Sequence, residues 1–263
     1  MAPQWAAFVG LTGLVLTAFL GLAWISQQLI TEQLPLSEQV TPAGVDPSIS
    51  STPQPVSTST ATSPAGVQSV STGALLANVA VTQGLFGVVL VGGAAGFAIP
   101  AWAFGLGNDA LTLTNLGWGV GLGVGLWLAS EFGSRVVDAA GIEYDEGLRE
   151  LLAPDSRGGW VVLLGLVLPV IAGVEELVFR GAAIGVVAAG LNVSPWTMAV
   201  VSSFGFAMGH GAQGRAGIVV TGMLGFVLAT AYVLTGSLLT VIVAHYLVNA
   251  LEFVVHEGLG IAE

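Results

Sequence analysis

The sequence predicts an all-α integral membrane protein: a polytopic bundle of about seven to eight transmembrane helices with a disordered N-terminal linker. Three observations predict it. Of the 263 residues, 54% are apolar and only 8% charged, with a mean hydropathy of +0.87, whereas a soluble domain needs roughly a quarter charged residues to clothe its surface. Apolar runs near the length that crosses a bilayer, about 20 residues, recur along the chain. Between the first run and the second lies a long segment with no apolar periodicity at all.

The first run, Trp5 to Ile25, carries no charge. It lacks the basic start and small-residue cleavage site of a signal peptide, so residues 1–30 are expected to be a transmembrane anchor. Residues 31–73 are Pro, Ser and Thr with scattered acids, a composition that cannot bury enough apolar surface to fold, and are expected to be a disordered linker. Residues 74–263 form the polytopic domain. Its apolar segments are Leu75–Leu106, Leu111–Ser130, Trp160–Ala189, Pro195–His210, Ile218–Thr235 and Leu238–Val255. The first and third of these contain Pro100 and Pro169, so each is expected to be tilted, kinked or split. The charged stretch from Glu131 to Gly158 is expected to be a surface loop with a short amphipathic helix.

Glycines spaced by four, as at Gly92/Gly96, Gly117/Gly121 and Gly121/Gly125, predict close helix packing. The run GWGVGLGVGLW is not a nucleotide loop, because it has neither a preceding strand nor a phosphate-binding lysine. Sixteen acids stand against five arginines and no lysine, for a net charge of −11. That balance excludes nucleic acid as a partner and is the pattern of proteins bathed in concentrated salt, where screening removes self-repulsion; a halophilic, archaeal source is expected. Orientation is left open by opposed signals: clustered arginines place the charged loop inside the cell, whereas the Ser/Thr/Pro tether resembles an extracellular stalk. Cysteine is absent, which excludes disulfides and thiolate metal sites.

Ionisable groups inside a span cost about 2.5–3.5 kcal/mol each on insertion scales, so each calls for a partner or a wet cavity. In GVEELVFRG, Glu176 and Arg180 are four apart and pair on one helix face. Glu175 points about 100° away and is left without that partner. In SSFGFAMGHG, Phe206 and His210 are four apart among small residues that let another chain approach. In TVIVAHYLVNALEF, His245 and Asn249 lie one turn apart on the last span. His256 follows the apolar run and is expected at the surface.

Taken together, Glu175, His210, His245 and Asn249 suit hydrolysis. A carboxylate held away from bulk water accepts protons near neutrality better than a solvated one, and with a histidine it can orient and deprotonate water. His245 and Asn249 are suitable donors for the oxyanion that follows attack on a peptide carbonyl. This route needs no metal or other cofactor. Zinc on Glu175, His210 and His245 is the competing mechanism, although the helical HExxH spacing is missing. A non-catalytic bundle or proton pathway is the competing class: a relay strings its groups across the membrane's depth, whereas a hydrolase gathers them at one level.

EELVFR at 175–180, FAMGH at 206–210 and HYLVN at 245–249 resemble, in order, the EExxxR, FxxxH and HxxxN motifs of the CPBP (Abi/CAAX protease) family of intramembrane proteases, which includes the type II CAAX prenyl proteases. The resemblance covers roughly Gly158 to Glu257. It implies a multi-pass bundle in the cell membrane that cleaves a membrane-tethered peptide or protein, some family members acting on prenylated CAAX substrates, with lipid as its other partner. It further implies that Glu175 and His210 activate water, that His245 and Asn249 form the oxyanion site, and that Glu176, Arg180 and Phe206 support them.

Overall fold

The computed structural model describes residues 1–33, 71–139 and 147–261. Eight helices run through them: α1 (Trp5–Gln33), α2 (Thr72–Gly96), α3 (Leu113–Ala139), α4 (Gly147–Leu152), α5 (Arg157–Leu191), α6 (Pro195–Gly209), α7 (Gly214–Thr235) and α8 (Leu238–Gly258). No strand occurs among the described residues. Most of the predicted linker falls outside the described residues; at its edges, α1 continues to Gln33 and α2 already begins at Thr72, capped by the Ser71 hydroxyl.

Five helices are long and apolar enough to cross a membrane: Trp5–Ile25 within α1, α2, α5, Gly217–Thr235 within α7, and α8. The chain is an all-helical, multi-pass membrane bundle. The two remaining long elements fall short for different reasons. Helix α3 is 27 residues long, but its glycines dilute the hydropathy. Helix α6 has 15 residues, about 22 Å at 1.5 Å each, less than the roughly 30 Å of a hydrocarbon core.

The two proline-containing segments behave differently. The first is split: α2 ends at Gly96, Ala98 takes a positive φ of 52°, and Pro100 opens a short 3-10 turn, Ala101–Phe104. The second stays continuous. Pro169 cannot donate to the preceding turn, and the helix widens into a π segment, Leu163–Val167, directly before it. A second π segment, Leu177–Val186, follows Glu176; such segments concentrate at functional sites.

Helix α1 packs into the body. Phe8 is fully buried and meets Phe104 edge-on at 5.5 Å, and Phe19 meets Phe179 of α5 at 5.7 Å. Trp5 lies against Gly190, so α1 runs antiparallel to α5. Helix α8 packs chiefly on α3. Thr240 donates its hydroxyl to the Asn115 carbonyl at 3.0 Å, and Ser237 to that of Ala110 at 2.7 Å. Tyr246 reaches from α8 to the Leu164 carbonyl of α5.

Two expectations are corrected, one for the charged stretch and one for His256. Glu131 to Ala139 continues α3 rather than forming a loop, and α4 is the short helix beyond it. His256 is buried, 8% exposed, because the last turns of α8 fold it against Glu131 and the Ile261 carbonyl.

Candidate active site

Helix α5 supplies the centre of the site. Glu176 and Arg180 are fully buried, and the Arg180 Nη1 donates to Glu176 Oε1 at 2.9 Å, the pair expected from their spacing of four. Arg180 Nη2 donates to the Gly225 carbonyl of α7 at 2.8 Å, and its guanidinium lies 4.7 Å from the centre of the Phe206 ring of α6. A buried charge is tolerated only with such a set of partners. One pairing was not read from spacing: His245 Nδ1–H of α8 donates to the same Glu176 Oε1 at 2.7 Å.

Glu175, 6% exposed, faces a different way. It was expected to be left without a partner, but Gln83 of α2 donates its amide Nε2–H to Glu175 Oε1 at 3.2 Å. The other oxygen, Oε2, stands 3.9 Å from His245 Nε2. Gln83 is the residue that sequence reasoning missed. Its signal was present, an amide inside the apolar stretch ANVAVTQGLFGVVL, since a polar side chain in a span bonds a neighbouring helix.

His210 ends α6. Its Nδ1–H donates to the Phe206 carbonyl at 2.8 Å and its ring lies over Phe206 at 4.6 Å. The other side of that geometry is the contact between Phe206 and His245, edge-on at 5.9 Å. Phe206 thus holds the two imidazoles and the guanidinium about one ring. Asn249 is half-buried one turn beyond His245, with no side-chain hydrogen bond among the described residues.

The hydrogen bonds dictate the tautomers. A carbonyl and a carboxylate accept only, so both His210 and His245 place a proton on Nδ1. In the neutral ring Nε2 then carries a lone pair, and in the doubly protonated ring it donates. The ligand atoms of Glu175, His210 and His245 do not gather within 4.8 Å of one another, so the trio does not form a ready zinc site as it stands. Glu175, Glu176, Arg180, Phe206 and His245 nonetheless converge from three helices, and Gln83 and Gly225 add two more at the same level of α5.

Residues 157–251 match the family described as type II CAAX prenyl endopeptidase Rce1-like. The match supports a likeness of this segment to the CAAX protease family. It encloses every candidate residue named from the sequence and leaves out α1 to α4. No curated protein and no solved structure matches the chain.

Proposed function

We propose that this protein is an intramembrane endopeptidase of the cell membrane, cleaving a membrane-tethered, CAAX-type prenylated peptide by activated water. The observation that carries the reading is the 3.9 Å gap between Glu175 Oε2 and His245 Nε2, inside a bundle of otherwise apolar helices. It is too long for a direct hydrogen bond and suits one water touching both groups.

In this reading Glu175, with His210, takes a proton as the water oxygen attacks the scissile carbonyl carbon. The carbonyl oxygen becomes an oxyanion, and Asn249 and His245 donate to it, His245 through Nε2 in its doubly protonated ring. Glu175 then returns the proton to the departing amine nitrogen as the C–N bond breaks. Glu176 and Arg180 hold the His245 ring in orientation. Zinc at Glu175, His210 and His245 is the other way to activate the water.

A farnesylated, internally quenched CAAX peptide in proteoliposomes tests the reading. The Glu175→Gln protein is expected to lose about 10³-fold in turnover, within the range a general base contributes, and an unprenylated peptide is expected to be cut more slowly by the parent. Parent-like cleavage by the variant overturns the assignment of the base. Stoichiometric zinc in the purified protein, lost in His210→Ala, would instead select the metal mechanism.

A further inference from the structure

We infer that Gln83, outside the segment that matches the family, is a positioning residue that fixes which oxygen of Glu175 faces the reacting water. The inference rests on the hydrolytic reading of Glu175 given above.

A carboxylate offers two oxygens, and a freely turning one presents either. Here Oε1 is engaged by the Gln83 amide at 3.2 Å, and Oε2 is the oxygen that faces His245. The orientation of the amide is determined by chemistry: only its NH2 can donate to a carboxylate, so Nε2 must point at Glu175 and the amide oxygen away. That oxygen, Oε1 of Gln83, is buried with no hydrogen-bond partner. No donor among the described residues therefore turns the amide elsewhere, and among them the bond to Glu175 sets its direction.

The sequence also builds the approach. Gln83 and Gly87 are four apart and share a face of α2. Gly87 is buried against α5, where an added Cβ would come 2.9 Å from the Val174 side chain, the residue preceding Glu175. The missing side chain at Gly87 sets the distance between the helices, and Gln83, one turn away, spans what remains. An amide that served only as a link between helices could bond any backbone carbonyl. This one bonds the carboxylate assigned to water activation.

The test uses the full chain in proteoliposomes with the farnesylated quenched peptide, and infrared difference spectra in which subtraction of Glu175→Gln isolates the Glu175 carboxylate stretch. Gln83→Leu is expected to lower kcat by about 10- to 100-fold, part of what a general base supplies, with KM within about twofold, and to move the Glu175 band. Gly87→Val, which leaves the amide intact but pushes α2 outward, is expected to reproduce both effects. The double variant should be little worse than either, as for two changes acting on one contact. An unchanged kcat or an unmoved band in Gln83→Leu overturns the inference, as does a rise in KM alone. If Glu175→Gln is inactive and Gln83→Leu behaves like the parent, only this inference fails; if Glu175→Gln cleaves normally, the proposed function fails first.

Discussion

Helix α8 carries two buried histidines, His245 and His256, and each is bonded to a carboxylate of another helix: His245 to Glu176 of α5 at 2.7 Å, His256 to Glu131 of α3 at 2.6 Å. What separates them is the second ring nitrogen. His256 Nδ1 donates to the Ile261 carbonyl at 2.8 Å, so both of its nitrogens are engaged. His245 Nε2 looks across 3.9 Å at a carboxylate it does not bond. Glu131, Glu252 and His256 even bring ligand atoms within 4.8 Å of one another, but Arg149 supplies positive charge there, 3.5 Å from Glu252 and 2.9 Å from Glu257. That cluster is an ion-pair pin joining α3, α4 and the end of α8. The residue types are the same in both places, and what distinguishes a site from a pin is the 3.9 Å separation of His245 Nε2 from Glu175 against the bonded second nitrogen of His256.

The comparison breaks most sharply at the histidines. His245→Ala is expected to cut kcat by about 10²–10⁴-fold, the range of a group acting on the reacting atoms. His256→Ala should leave kcat within about twofold and lower stability by about 1–3 kcal/mol, the cost of leaving buried partners unsatisfied; turnover and thermal unfolding in the same detergent read both. Next come the arginines. Arg180→Leu strands a buried Glu176 carboxylate and is expected to destabilise by about 3–5 kcal/mol, with partial recovery in Glu176→Met/Arg180→Leu, because replacing a whole buried pair is far less harmful than breaking it. Arg149→Leu should cost about 1 kcal/mol or less, because its more accessible pairs are solvent-screened. Asn249→Ala changes rate alone: it is expected to reduce kcat by about 10²-fold without loss of stability, as for a single oxyanion donor.

These effects divide along the line between what periodicity encodes and what it does not. The helical bundle was legible because bilayer-length apolar runs leave few alternatives. The Glu176–Arg180 pair was legible because an i,i+4 contact is set by the helix itself. The bond from His245 to Glu176 and that from Gln83 to Glu175 join residues 69 and 92 positions apart, and no local pattern specifies such contacts. His256 was misread for a related reason: the apolar run ends before it, so its burial depends on Glu131 of α3, 125 positions away, and on the Ile261 carbonyl beyond the end of the helix.

The glycines of α3 give the smallest and most local form of the contrast. Their spacing predicts close packing, and Gly117, Gly121 and Gly125 carry that spacing, yet a Cβ on any of the three would meet nothing within 4 Å. The contact falls on the alternate pair. A Cβ at Gly119 would lie 2.7 Å from the Thr240 carbonyl oxygen, and one at Gly123 2.9 Å from that of Ala244. Both carbonyls belong to the backbone of α8, one turn apart and just ahead of His245, so neither can move aside as a flexible side chain would. Gly123→Ala is therefore expected to destabilise by about 1–3 kcal/mol through overpacking, with a loss of activity as α8 shifts. Gly121→Ala meets open space and gains helix propensity, so it should be neutral or stabilising by up to about 1 kcal/mol. Equal unfolding temperatures for the two variants would mean that α3 presents a different face to α8, and with it that His245 is held at a different depth from Glu175.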